Sequence, residues 1–161
     1  MKRSAKQGFT LVEIMIVVAI IALLAAIAIP NVLRGRTTAN ESAAIGNLRA
    51  LVSSLEMYRS VYQEYPAAWK ADMYTTPDPD FGPPSFNLDL AAAQNVQGFA
   101  YTYARPTAQT YTITSNPTVF GRTGTRSLFA DEAGTIHHCS AATGATAASA
   151  TIDQLPGATC P

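Results

Sequence analysis

Glu13 stands near the start of Phe9–Ile29, a run of 21 residues that otherwise carries no charge. An acid inside a lipid-facing helix is costly, and intramembrane ionisable residues are functional by default. The chemistry open to it is to hold a cation. A buried carboxylate without a partner is expensive, whereas one matched to an ammonium is tolerable and fixes register. Glu13 also lies only four residues after Phe9, close to a helix N-terminus, where backbone N–H groups favour acids.

The other reactive side chains form weaker patterns. His137, His138 and Cys139 are consecutive. Neighbouring residues on a strand point to opposite faces, so the two imidazoles do not readily share one ion. Asp78, Asp80 and Asp89 are oxygen ligands of the kind calcium takes, but their spacing matches no loop motif, and they read as solvated turn acids. No G-x-x-x-x-G-K-[ST] phosphate loop occurs, so any ATP-driven step would belong to other proteins. The chain therefore reads as non-enzymatic, with no metal and no cofactor. Cys139 and Cys160 are the two cysteines. In an exported chain such a pair forms a disulfide, and in a reducing compartment it stays as free thiols. The loop closed would hold about twenty residues, for which chain entropy gives roughly 3 kcal/mol.

Composition narrows the classes. The 161 residues suggest one domain plus an appended hydrophobic segment. Formal net charge is zero, but Lys2, Arg3 and Lys6 crowd into the first eight residues. From Phe9 onward there are eight basic and eleven acidic side chains. A mildly acidic remainder argues against a nucleic-acid groove, which needs clustered Lys and Arg.

As a helix the apolar run spans about 31 Å, close to the ~30 Å of a bilayer core. Three readings compete. Ala26–Ala28 offers a small-x-small site for signal peptidase, but the run is longer than the roughly 7–15 residues of a signal h-region, and Glu13 interrupts it. A plain membrane anchor fits the length and the basic flank, with the N-terminus in the cytoplasm, yet leaves Glu13 unexplained. The third reading explains it. The stretch "GFTLVEIMIVVAIIALLAAIAIP" closely resembles the N-terminal signature of type IV pilins and type II secretion pseudopilins. The likeness covers Lys6 to Arg34, about a fifth of the chain.

That resemblance implies that residues 1–8 are a leader cut between Gly8 and Phe9 by a membrane-embedded prepilin peptidase. Gly8 suits such a site, since a residue without Cβ lets a protease close on the backbone. Phe9 then becomes the N-methylated first residue, and Glu13 falls at the family's acidic position. Cutting creates an ammonium at Phe9, one helical turn from Glu13. Glu13 would pair with it in the same chain or in the preceding subunit, setting register during assembly. Pro30 matches the family's helix-kinking proline; it has no N–H for Ala26 and is expected to bend or loosen the helix.

The elements that position these residues follow from periodicity. A helix is expected from about Thr10 to Gln63, with residues 9–29 as its membrane part, which the resemblance implies is also the filament core, and 30–64 as its amphipathic continuation. In that second part Ala44, Ile45, Leu48, Leu51, Val52, Leu55, Tyr58 and Tyr62 recur at three- and four-residue steps. Tyr65-Pro66 stops it. Residues 65–161 form a head: a proline-rich loop, then strands in "GFAYTYARP", "TYTITS", "RSLFAD" and "TIHHC", with "DEAG" as a hairpin turn. The fold expected is α+β, a long helix packed by its second half on a four-stranded antiparallel sheet. The resemblance implies the same pilin fold, ending in a loop stapled through Cys139 and Cys160.

Function follows from the resemblance in two forms. One is the subunit of a type IV pilus-like filament, anchored in the bacterial inner membrane and then polymerised through its N-terminal helix. Its partners would be other copies, minor pilins, the prepilin peptidase, and an inner-membrane assembly platform with its cytoplasmic ATPase. Such filaments serve surface motility, adhesion or DNA uptake. The other is a pseudopilin forming a periplasmic piston in type II secretion. The C-terminal disulfide leans towards a pilin. So does the lack of the "DPWG"-type stretch of major pseudopilins, of which "PDPDFGPPSF" is a distant echo. A third class, a solitary membrane-anchored domain, requires that the head never polymerise.

Overall fold

A computed structural model describes residues 9–77 and 79–139. The chain divides into two compact units, Met1–Gly35 and Arg36–Pro161. One helix, α1 (Leu11–Tyr62), begins in the first and ends in the second.

Within the first unit every large apolar side chain from Phe9 to Leu33 is exposed. Leu11, Val12 and Val17 lie on different sides of the helix and are all exposed, so no single face is left to pack on a sheet. A helix that is oily all round needs lipid or sister helices as its solvent. This one is long and apolar enough to cross a membrane. Pro30 stands inside α1 and has no N–H to give to the Ala26 carbonyl.

In the second unit α1 has one buried stripe: Ala44, Leu48, Leu51, Leu55 and Tyr58. Ser54, also buried, gives its hydroxyl back to the Ala50 carbonyl at 2.8 Å. Tyr62, expected in the stripe, is instead half exposed and stacks on Tyr58 with centroids 4.4 Å apart. The helix ends at Gln63, whose φ of 62° is left-handed.

Five strands follow, where the repeating apolar pattern gave four: β1 (Gln94–Val96), β2 (Phe99–Thr107), β3 (Thr110–Pro117), β4 (Ser127–Asp131) and β5 (Ile136–Cys139). They pair in chain order, all antiparallel. The extra strand, β1, is too short and polar to show an alternation. It exists because Gln97 and Gly98 both take positive φ (52° and 83°), the backbone of a two-residue hairpin turn. The Asp131–Gly134 turn closes as expected, with the Gly134 N–H on the Asp131 carbonyl at 2.9 Å.

Alternation along β2 and β3 buries Phe99, Tyr101, Tyr103, Tyr111 and Ile113 in one cluster with the helix stripe. The connecting segment adds Trp69, Tyr74 and Phe86, and its polar atoms are paired. Trp69 Nε1 donates to the Phe86 carbonyl at 3.0 Å. The Tyr103 and Tyr74 hydroxyls donate to the Pro66 and Pro83 carbonyls at 2.8 and 2.9 Å. Gly82 is required beneath Tyr74, because a Cβ there would overlap the phenol ring.

This tyrosine-rich core sets an alkaline limit. Burial pushes the phenols of Tyr74, Tyr101, Tyr103 and Tyr111 up, and burial with the Glu56 hydrogen bond pushes Tyr65 up to about 12. A phenol titrates near 10 once unfolded. The stability these groups contribute is fully present below about pH 10 and is lost as pH rises towards the folded values. Tyrosinate absorbance is therefore expected to appear together with loss of near-ultraviolet dichroism above about pH 10. Ionisation along a free-phenol curve with the fold intact would contradict this.

Candidate functional site

The N-terminus of α1 is built by four residues, Thr10-Leu11-Val12-Glu13. The Glu13 carboxylate accepts from the Thr10 N–H at 2.8 Å and from the Thr10 hydroxyl at 2.7 Å, both on Oε2. In return the Glu13 N–H donates to Thr10 Oγ1 at 3.2 Å. This is a reciprocal capping box, in which two otherwise unpaired helix-end donors are satisfied. The sequence places Glu13 at a helix N-terminus that favours acids; the structure adds the partner, Thr10, and T-x-x-E before an apolar run is the sequence sign of such a cap.

The cap aims the carboxylate at the chain entering the helix. Phe9, bonded directly to the Thr10 nitrogen, is 85% exposed. Glu13 Oε1 accepts no bond among the described residues. The site thus presents an anchored carboxylate with one oxygen open, beside an accessible Phe9. Gly8 and the rest of residues 1–8 lie outside the described residues. Pro30 lies further along the same helix, apart from this cluster.

The remaining expected residues fall elsewhere. Cys139 is buried at the end of β5, opposite Ser127. Cys160 and the C-terminal loop lie outside the described residues, as does Asp78. Asp89 accepts the Ala91 N–H at 3.1 Å, a local turn bond. His137 sits beside the Phe129 ring, with centroids 6.3 Å apart, whereas His138 borders a recess with Arg49 and Arg126. No group of three His, Cys, Asp or Glu side chains able to hold a metal occurs among the described residues.

A second cluster had no sign in the periodicity. It is "TTANE", Thr37–Glu41, two residues after Gly35. In the structure it is a tie between α1 and the loop joining β3 to β4. Thr37 Oγ1 donates to the Arg122 carbonyl and Asn40 Nδ2 to the Thr123 carbonyl, each at 3.2 Å. Glu41, only 8% exposed, accepts the Thr125 N–H and hydroxyl on Oε1, both at 2.7 Å, and the Arg126 Nε on Oε2 at 3.3 Å.

Residues 3–29 match the prokaryotic N-terminal methylation motif. Type II secretion system core protein G of Klebsiella michiganensis is 36% identical over 66 residues, 41% of this chain and 46% of that protein. The protein of the same name from Escherichia coli K12 is 33% identical over 100 residues, 62% of this chain and 65% of that one. The type IV wide pilus major component PilA4 of Thermus thermophilus is 51% identical over 57 residues, 35% and 43% of the two chains. The chain spans about half the length of most of the relatives it matches. No solved structure gives a significant match.

Proposed function

Since the chain belongs, by its N-terminal motif, to the type IV pilin and type II secretion pseudopilin family, we propose that it is the structural subunit of a type IV pilus-like filament. The observation that carries this reading is the first unit of α1: apolar on every side, exposed throughout, and begun by an acid held in the helix cap. Before assembly the helix lies in lipid, as a single inner-membrane span with its N-terminus in the cytoplasm. In the fibre it lies among sister helices, where association rests on close packing and polar pairs. Ala19, Ala22, Ala25, Ala26 and Ala28 permit close approach.

Processing belongs to the same proposal. A prepilin peptidase cuts between Gly8 and Phe9, Phe9 is N-methylated, and the new ammonium meets Glu13. An assembly platform with its cytoplasmic ATPase extracts the subunit, and minor pilins join the fibre. Mass spectrometry of the mature chain is expected to find N-methylphenylalanine from Phe9 at its start, and Gly8→Val to leave the leader attached. A mature N-terminus elsewhere would sink this assignment. Cys139 and Cys160 form the head's disulfide, so the unfolded mature chain should show no free thiol before reduction and two after; two beforehand would overturn it.

A second reading has its own support. The widest of these matches, 62% of this chain, is to a core protein G, which favours a pseudopilin acting in a periplasmic piston. Immunolabelling of sheared surface fibres separates the two. Labelled fibres support the pilus; a periplasmic chain without surface fibres supports the piston.

A further inference from the structure

A recess of about 160 Å³ opens between α1 and the β4–β5 hairpin, far in sequence from the N-terminal site. Its floor is apolar: Ile45 from the helix, Leu128 from β4 and Ile136 from β5. Its rim carries two arginines and an imidazole. Arg49 lies one helical turn after Ile45, Arg126 immediately precedes β4, and His138 stands opposite Leu128 in the β4–β5 register. One acid, Glu41, also lines it.

That acid does not neutralise the rim. Glu41 Oε1 is held by Thr125, and Oε2 faces Arg126 Nε at 3.3 Å. Holding Nε fixes the Arg126 guanidinium and leaves its two terminal nitrogens without a partner among the described residues. Arg49 makes no hydrogen bond or ion pair among them, and neither does His138. Two guanidinium groups and an imidazole thus converge on a small recess with one engaged carboxylate. Guanidinium N–H groups match the two oxygens of a carboxylate. The Ile45–Leu128–Ile136 floor suits a short hydrocarbon stem, which a strongly hydrated inorganic anion lacks.

We infer that this recess is a binding site for a carboxylate carried on a short apolar stem, with Arg49 and Arg126 gripping the oxygens and His138 closing the rim. Both a small organic acid and an acidic side chain of a second copy present that chemistry.

The test uses the detergent-solubilised full chain, titrated with butyrate, inorganic phosphate or chloride at constant ionic strength. The chain has only two histidines, so the His138 ring signal is assignable by magnetic resonance. Butyrate is expected to move it saturably, with a Kd on the order of 1 mM. Phosphate should bind at least about fivefold more weakly. Arg49→Gln, at an exposed residue without structural partners among the described residues, should weaken butyrate at least about fivefold while leaving the dichroism spectrum unchanged. A shift equal in chloride, a shift unchanged in Arg49→Gln, or phosphate binding as tightly as butyrate would each overturn the site. A dilution series without added ligand identifies the source. A His138 signal that moves with chain concentration, and is displaced by butyrate, assigns the carboxylate to a second copy; a concentration-independent signal that butyrate still moves assigns it to a free acid.

Discussion

Glu13→Ala is expected to reduce the yield of sheared fibres at least about tenfold while the chain remains in the membrane fraction. The two halves of that result have different causes. Membrane retention depends on apolar length, and removing an acid only makes the span more lipophilic. Assembly depends on what the acid holds. In lipid, helices gain little from apolar burial against one another, so polar pairs carry much of the register. The capping box sharpens the test, because Glu13 does two separable things. As a hydrogen-bond acceptor it caps the helix through Thr10; as a charge it would meet the ammonium that the proposed cut creates at Phe9. Glutamine serves equally in the cap but carries no charge. Glu13→Gln is therefore expected to keep the helix end and still lose fibres, nearly as far as Glu13→Ala. Normal fibre yield in Glu13→Gln would mean that the cap is the whole role of the residue and that no charge pair sets register.

The same residue shows how legibility divides. A lone carboxylate in a long apolar run is visible at once, because it violates the local pattern. Its hydrogen-bonding role is equally legible, as T-x-x-E at a helix start, because the cap is local to four residues. The helix stripe from Ala44 to Tyr58 could be read because burial on a helix imposes its own period. The strands β2 and β3 could be read because their aromatic and β-branched residues alternate; β4 and β5 are marked by short apolar runs on either side of the "DEAG" turn. β1 could not, since three residues cannot display a period; only the positive-φ turn at Gln97-Gly98 creates it. The recess at Arg49 was also illegible. Its members come from α1, the end of the β3–β4 loop, β4 and β5, and only the sheet register brings Leu128 and His138 together. Distance in sequence hides such a cluster, whereas the Thr10–Glu13 cap lies within one helical turn.

Glu41 is the strongest case of the hidden kind, and its removal is expected to destabilise the second unit. By type and by its neighbours in "TTANE" it looks like a solvated helix acid. Its side chain is only 11% exposed, because the Arg122–Arg126 loop folds over it. Glu41→Ala removes the acceptor for both the Thr125 N–H and the Thr125 hydroxyl. Thr125 is itself exposed, so its freed donors regain water. What is lost is hydrogen bonding to a charged group, worth about 1.5–3 kcal/mol per bond; a loss of about 2–3 kcal/mol is expected. The ion pair contributes little of this: the Arg126 side chain is 49% exposed and would return to water, and exposed pairs are worth about 0–1 kcal/mol. Glu41→Gln keeps an acceptor oxygen for Thr125 and gives up only the charge. Its loss is expected to stay near 1 kcal/mol, well short of the alanine variant. Urea unfolding of the full chain in detergent, followed by the near-ultraviolet signal of Trp69 and the buried tyrosines, measures both. If Gln and Ala lose stability equally, the clamp is held by charge rather than by the Thr125 hydrogen bonds. If neither loses stability, the tie between α1 and the β3–β4 loop does not hold the unit together.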